Sequence, residues 1–223
     1  MMNTSSKLVA GALAAAILAG GGWWMTRGTA PADSALSMAA LAQDNADAQV
    51  LPDMILGQQD APVTVIEYAS YTCPHCANFH DTVMGNLKAD YIDTGKVKFI
   101  HREVYFDKFG LWAGLIANCG GAPKYFAIGD LIYDGQRDWI GNGQDATVAA
   151  NLRKIGLKAG LSGDQVDACL NDQARAQAMV ATYQKHATAD GIEATPTLII
   201  NGEKHPNMSY ADLKTILDAK LAK

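Results

Sequence analysis

Two cysteines separated by two residues form the group best suited to chemistry, in the segment Cys73-Pro74-His75-Cys76. The segment follows an apolar run, Val63 to Tyr68, and opens a helical pattern that continues to about Thr94. A thiol at a helix N-terminus meets unpaired N–H groups and the positive end of the helix dipole, which favour the thiolate. The thiolate is the form that attacks disulfides. The spacing and the position therefore predict a thiol–disulfide exchange site.

The four residues of the motif have different predicted roles. Cys73 is the attacking thiol, and Cys76, one turn further on, is the buried resolving thiol. Pro74 suits the first helical turn, where its missing N–H removes no hydrogen bond, and Thr72 or Cys73 can cap the helix. His75 can add a positive charge or a donor to the Cys73 sulfur, which would lower the thiol pKa. Because stabilising the thiolate stabilises the reduced protein, the disulfide form is expected to oxidise its substrates.

Metal binding is the alternative function of a Cys-x-x-Cys pair, but zinc needs two further ligands at a matching spacing. The chain has no second Cys-x-x-Cys, and Cys119 and Cys169 fall in separate predicted helices. His80 is the nearby candidate, and helical phase predicts that it faces away from Cys73. Haem attachment is excluded because Ala77 stands where that motif needs a histidine. We therefore expect no metal and no cofactor besides the cysteine pair.

The chain has four cysteines, an even number that two disulfides would require in an exported protein. Three pairings are possible, and proximity within the motif favours Cys73–Cys76 together with Cys119–Cys169. The second bridge would close a loop of about fifty residues and hold the helical part of the chain together. A redox-sensitive bridge that tunes the active site is the alternative.

The N-terminal residues predict export. Lys7 precedes an uncharged, Ala-rich stretch at 8–25, which is typical of a secretory leader, and Trp23 and Trp24 would suit a membrane interface. A cleaved signal peptide and an uncleaved anchor over residues 1–26 both stay open, and residues 27–50 are expected to form a linker. The net charge of −5, from 18 Lys+Arg and 23 Asp+Glu, gives no reason to expect nucleic acid binding.

Strand and helix patterns predict the fold class. Strands are predicted at 63–68, 97–102 and 197–200, Asn201-Gly202 predicts a hairpin turn to a further strand, and Ser209 opens a terminal helix. Five helices are predicted between the second and third strands, at 109–119, 123–133, 145–157, 163–170 and 174–189. This order predicts an α/β thioredoxin fold over residues 51–107 and 190–223, with an inserted all-helical subdomain at 108–189.

The segment VIEYASYTCPHC resembles the active-site entry of the DsbA family of bacterial periplasmic dithiol oxidases, whose motif is Cys-Pro-His-Cys. The helical insertion, the segment ATPTLIING and the terminal helix are similar to that family too, so the resemblance extends from about Pro52 to the C-terminus. It implies a strongly oxidising, low-pKa thiol pair. It also implies a monomer, exported proteins with free cysteines as substrates, and a DsbB-like membrane partner for reoxidation. Some alphaproteobacterial DsbA-like proteins carry a second cysteine pair.

The resemblance also assigns roles outside the motif. Pro196, preceded by Thr195, matches the family's cis-proline, where the preceding backbone is implied to pair with a substrate peptide. Glu67, six residues before Cys73, matches a buried acidic residue that relays the proton during exchange. An edge-strand glutamate facing solvent is the alternative.

The remaining histidines and one arginine carry weaker predictions. His101 and Arg102 are candidate charge partners of Glu67, although solvated strand positions are the expected state of both. His80, His186 and His205 are expected to be exposed and have no assigned role.

Three functions stay open at this point, and the first is favoured. The residues around the motif predict a thiol–disulfide oxidase of the cell envelope. A reductase or isomerase of the same fold is the second candidate. A non-catalytic chaperone or copper-handling protein that binds through an apolar groove or through the thiols is the third. The reduction potential of the cysteine pair separates the first two.

Overall fold

The computed structural model describes residues 49–222. The predicted leader at 1–26 and nearly all of the predicted linker at 27–50 lie outside the described residues. Within 49–222, none of the helices is both long enough and apolar enough to cross a membrane.

A single mixed sheet organises the part of the chain that the structure describes, with strand order β1-β3-β2-β4-β5. The strands are β1 Met54–Leu56, β2 Val63–Ala69, β3 Val97–Glu103, β4 Thr197–Ile200 and β5 Glu203–Pro206. β2 and β3 run parallel, and the other neighbouring strands are antiparallel. The predicted strands are confirmed to within one residue at each end. β1 was not predicted, because three residues are too few to show an alternating pattern.

A helical stretch connects β2 to β3 and begins with the cysteine motif. It consists of α1 Pro74–Phe79, a π-helical turn His80–Met84, α2 Gly85–Leu87 and a second π-helical turn Lys88–Ile92. Its buried side chains recur every three or four residues, at Cys76, Phe79, Val83 and Leu87. This spacing puts them on one helix face, and Phe79, Val83 and Leu87 of that face pack on Val63 and Val65 of the sheet.

Helices fill the chain between β3 and β4. They are α3 Lys108–Cys119, α4 Ala122–Asp134, α5 Gln136–Ile140, α6 Asp145–Lys158, α7 Gly163–Leu170 and α8 Gln173–Ala189. The five predicted helices are confirmed to within one residue at each end, whereas α5 was not predicted. α3 lies at the centre of this region, with eight consecutive buried residues. The same apolar cluster includes Tyr71 and Cys76, so the helical insertion packs directly against the motif.

The C-terminal segment completes the sheet and one of its faces. Asn201 and Gly202 form the predicted β4–β5 turn, with φ angles of 47° and 85°, as a two-residue hairpin loop requires. The terminal helix α9, Tyr210–Leu221, has Ser209 as its N-cap residue and buries Leu213 and Leu217. The predicted thioredoxin fold with a helical insertion is therefore confirmed.

Candidate active site

The two motif cysteines lie in different environments at the N-terminus of α1. Cys73 is the N-cap residue and is partly exposed, and its Sγ lies 3.5 Å from the Thr195 carbonyl oxygen. Cys76 is fully buried, and both are free thiols. Among residues 49–222 no side chain caps this helix, and the Thr72 hydroxyl, which was expected to be able to, donates to Asp107 instead. One thiol is therefore accessible to another molecule and the other is not.

The electrostatics of the pair are equally asymmetric. A hydrogen bond from the Cys76 thiol lowers the pKa of Cys73 to about 5; burial opposes this shift, and the backbone N–H groups of Cys76 and His75 add to it. The hydrogen bond to Cys73, burial and the charge of Glu67 raise the pKa of Cys76 far above that of a free thiol. In the reduced protein the negative charge therefore resides on Cys73 and the proton on Cys76.

The two residues between the cysteines, Pro74 and His75, are exposed. Pro74 occupies the first helical turn, where its missing N–H costs no hydrogen bond. The contribution of His75 to the low pKa of Cys73 comes from its backbone N–H. The charge effect that the sequence predicts for the His75 side chain stays a prediction.

Thr195 and Pro196 face the motif because of the sheet register. β4 pairs antiparallel with β2 so that Thr197 lies opposite Tyr68. The start of β4 and the end of β2 therefore meet at one edge, and the motif follows β2 there. The Thr195–Pro196 peptide bond is cis. The contact between Thr195 and Cys73 places this turn against the attacking thiol.

Gln136 is a site residue that the sequence did not reveal. It is buried at the start of α5, and its Nε2 donates to the backbone carbonyls of Tyr71, at 2.8 Å, and Cys73, at 3.0 Å. These bonds fix the loop that enters the motif to the helical insertion. A glutamine that binds backbone atoms belongs to no motif, so the sequence carried no signal for it.

Glu67 lies in β2 and is fully buried. Its Oε2 lies 3.1 Å from His80 Nε2, and its Oε1 has no hydrogen-bond partner among residues 49–222. The solvent-facing alternative for this residue is therefore wrong. Glu67 follows Val63 and Val65 at alternating positions of β2, so a carboxylate occupies the place of a core side chain. Its role in proton relay stays a proposal.

The expectation that His80 and His101 are exposed is wrong. The His80 side chain is only 10% exposed, because it lies four residues after Cys76 and shares its helix face. His101 is buried opposite Glu67 on β3, with Nδ1 2.7 Å from the Tyr125 hydroxyl. Burial lowers the pKa of His101 to about 4, so it is neutral near neutral pH. His186 and His205, also expected to be exposed, are partly buried.

Arg102 was expected to be a solvated strand residue, and this too is wrong. Its side chain is 18% exposed and makes a two-bond contact with Asp53, at 2.9 and 3.0 Å. It also donates to Asp190, at 3.0 Å, and to the Tyr68 hydroxyl, at 2.7 Å. Arg102 thus joins β3 to the segment before β1 and to the end of α8, and Glu67 is not among these contacts.

One group in the described part of the chain brings metal-ligand atoms together. Glu67, His80 and His101 each offer such an atom, all within 4.8 Å of one another. These atoms already engage one another or tyrosine hydroxyls, since His101 Nε2 lies 3.3 Å from Tyr133 Oη and His80 contacts Glu67. We therefore interpret the group as a buried hydrogen-bonded network.

The other two cysteines, Cys119 and Cys169, form a disulfide with a Cα–Cα distance of 5.8 Å. This is the pairing that the sequence favoured. It joins the end of α3 to α7 within the helical insertion.

The comparison with known proteins agrees with this site. A family model described as Thioredoxin matches residues 49–219. A Rickettsia bellii protein, a protein-disulfide oxidoreductase by name, is 30% identical over 167 residues, which are 74% of this chain and 63% of that protein. Disulfide bond formation protein D of Bacillus subtilis is 25% identical over 179 residues, 75% of this chain and 76% of that protein. The crystal structure of alpha-DsbA1 from Wolbachia pipientis superimposes with a TM-score of 0.72 at 29% identity, covering 78% of this chain and 94% of the other.

A sheet flanked by helices, with paired cysteines at the start of the helix after β2, defines a thioredoxin-type protein. The chain belongs to the thioredoxin family whose model it matches. The resemblance to the DsbA family that the motif indicated is confirmed by the likeness to alpha-DsbA1. The chain spans about three fifths of the length of the Rickettsia relatives, 63% and 60% in two of them.

Proposed function

We propose that this protein is a thiol–disulfide oxidoreductase that introduces disulfide bonds into exported proteins through Cys73 and Cys76. The observation that carries the proposal is the contrast between the two thiols. Cys73 is accessible, with a pKa of about 5, and Cys76 is buried. A dithiol oxidase needs this division, because one sulfur must react with a bulky substrate and the other must be released internally.

The proposed exchange starts from the oxidised pair. A substrate thiolate attacks Cys73 Sγ and forms a mixed disulfide, while the Cys73–Cys76 bond breaks and its electron pair goes to Cys76, which takes up a proton. A second substrate thiolate then attacks the substrate sulfur of the mixed disulfide, and Cys73 leaves as a thiolate. The substrate loses two electrons to the protein, and no cofactor besides the cysteine pair is required.

The low pKa of Cys73 supports the oxidising direction. A stabilised thiolate is a good leaving group and stabilises the reduced protein relative to the disulfide form. Glu67 supports the protonation step, since it is a buried carboxylate whose charge acts on Cys76. The carbonyl of Thr195, next to Cys73, is a proposed acceptor for a substrate backbone N–H.

The cellular setting is part of the same proposal. The N-terminal pattern of residues 1–26 supports export to the periplasm, with a cleaved or an anchored leader. Substrates would be unfolded exported proteins with free cysteines, and a DsbB-like membrane oxidase would reoxidise the pair. The proposed working form is a monomer that binds no nucleic acid.

The test is the redox equilibrium of Cys73–Cys76 in glutathione buffers, read by trapping the free thiols. An oxidase should have a potential well above the thioredoxin value of about −270 mV and toward about −120 mV. A potential near that of thioredoxin would overturn the oxidase proposal in favour of a reductase. Failure of the pair to exchange with glutathione at all would instead favour the chaperone or copper-handling alternatives.

A further inference from the structure

Building on the proposed dithiol exchange, we propose that His80 conducts the proton of Cys76 between buried Glu67 and the protein surface at Asp130. The exchange requires Cys76 to gain a proton when its disulfide opens and to lose one when the disulfide forms again. Cys76 and Glu67 are both fully buried, so neither can exchange protons with water directly. A third group must therefore connect them to solvent.

The inner end of this route is the contact between His80 and Glu67. His80 Nε2 lies 3.1 Å from Glu67 Oε2, within hydrogen-bonding distance. The other carboxylate oxygen, Oε1, is buried and has no partner among the residues that the structure describes. Because His80 is four residues after Cys76, at the start of the π-helical turn that follows α1, the two side chains lie on the same face of this helical stretch. The carboxylate thus has one oxygen engaged by the histidine and one without a partner among residues 49–222, and its charge acts on the Cys76 thiol.

The outer end of the route is the second nitrogen of the same ring. His80 Nδ1 is buried without a hydrogen bond in the described chain, and it lies 4.0 Å from Asp130 Oδ1. The Asp130 side chain is 62% exposed. Imidazole can accept a proton at one nitrogen and release one from the other. His80 therefore has one nitrogen toward the core and one toward a solvated carboxylate.

Two other titratable groups of the described chain face His80, and burial keeps both of them uncharged. His101 faces it from β3 and is kept neutral by burial, which lowers its pKa to about 4. Tyr133 of α4 stacks on the ring with centroids 4.0 Å apart, and burial raises the pKa of that phenol well above its usual value. This stacking holds the imidazole in place between Glu67 and Asp130.

The proton balance of the step needs no additional reactant. When a substrate thiolate opens the Cys73–Cys76 bond, the electron pair goes to Cys76 Sγ, and the proton reaches it from His80 through Glu67. His80 regains its proton from water at Asp130. When the disulfide forms again, Cys76 loses the proton and the same groups return it to solvent.

A single-turnover reaction of the reduced protein with oxidised glutathione separates the relevant steps. Cys73 first attacks glutathione and forms a mixed disulfide, and Cys76 then loses its proton and displaces glutathione from Cys73. Acid quenching and mass spectrometry measure both rates across a range of pH. His80→Gln keeps a side chain of similar length that cannot carry a proton, and we expect it to slow the second step by at least about tenfold. The first step should keep the wild-type rate.

Three further variants sharpen the test. Asp130→Asn should slow the second step less than His80→Gln does, and His186→Gln, a histidine of α8, should change neither step. In His80→Ala, added imidazole should restore the rate of the second step in proportion to its concentration. A purely structural role for His80 would give no such rescue.

The inference and the proposed function fail in different ways. If the wild-type protein completes both steps and His80→Gln does so equally fast, only the role of His80 is overturned. Equal slowing of both steps in His80→Gln, or absence of imidazole rescue in a folded His80→Ala, overturns it as well. If the wild-type protein forms no mixed disulfide at Cys73, the proposed function itself fails.

Discussion

Glu67 and His101 are directly paired on the parallel strands β2 and β3, and both side chains are buried. Each continues an apolar series on its strand, after Val63 and Val65 on β2 and after Val97 and Phe99 on β3. Burying a carboxylate with an unpartnered oxygen destabilises a fold. Polar groups at such core positions are expected where function requires them. The sheet therefore becomes polar at the end that meets α1, the helix that begins with the cysteine motif.

The low pKa of Cys73 predicts a pH-dependent stability of the reduced protein. In the folded state the pKa is about 5, whereas in the unfolded chain it should be about 8.5. The thiolate contribution to stability is therefore complete above about pH 8.5 and is lost as pH falls through the folded pKa. Reduced wild type and Cys73→Ser should thus differ in free energy of unfolding at high pH and converge at low pH.

Urea unfolding of both reduced proteins across this range measures that difference. Ultraviolet absorbance of the thiolate in the folded protein gives the pKa of Cys73 independently. A midpoint near that of a free thiol, together with a constant stability difference, would contradict this account of the site.

Gln136 predicts a link between the helical insertion and the motif loop. In Gln136→Leu the Tyr71 carbonyl loses its side-chain donor, whereas the Cys73 carbonyl keeps the backbone N–H groups of Cys76 and Ala77, so stability should fall by about 1–3 kcal/mol. Alkylation of Cys73 should also change in rate, because its loop is no longer held. Gln144→Leu is the matched control, since Gln144 is exposed and makes no side-chain cap to α6. Equal effects of the two substitutions would show that the bonds of Gln136 are unimportant.

The sequence predicted most elements of the fold because their signals are local. Capping residues such as Ser162 and Ser209, and the Asn201-Gly202 turn, mark where elements begin and end. The short elements β1 and α5 were missed because three or five residues hold too little periodicity. These elements form through tertiary packing, which a local pattern does not contain.

The residues of the candidate site that belong to a sequence motif could be predicted. Those whose position depends on strand phase or on contacts with backbone atoms were missed. The Cys73–Cys76 pair stands out at once. The expectation that His101 is solvated is wrong. His101 follows Val97 and Phe99 at alternating positions of β3, and this alternation predicts a buried side chain. His80 had a usable signal in its spacing of four residues from Cys76, which places the two side chains on one helix face; the predicted orientation away from Cys73 neglects that spacing. Gln136 had no such signal, because its partners are carbonyl groups.

Arg102 predicts a large stability effect from a partly buried charged contact. Arg102→Ala removes the bonds that this side chain makes to Asp53 and Asp190, so both partly buried carboxylates lose their cationic partner. Stability should therefore fall by about 3 kcal/mol. Arg102→Lys keeps the charge but loses the two-bond geometry, and its loss should be smaller. Chemical denaturation of the oxidised proteins measures both.

Arg153 provides the matched control for Arg102, since it makes the same two-bond contact with Asp167, at 2.7 and 3.0 Å, on the surface. Solvent screens that pair, and Arg153→Ala should leave stability nearly unchanged. If Arg153→Ala proved as damaging as Arg102→Ala, burial would not be the reason for the effect at Arg102.

The Cys119–Cys169 disulfide predicts a structural effect that is separate from the active site. The bridge spans a sequence separation of 50 residues, and on the chain-entropy model its removal costs about 4 kcal/mol. A double variant, Cys119→Ala with Cys169→Ala, should therefore melt at a lower temperature than wild type. The glutathione equilibrium of Cys73–Cys76 should stay unchanged, because the bridge acts on the unfolded chain. A shift of that equilibrium without a loss of stability would contradict the structural role and favour a bridge that tunes the redox site.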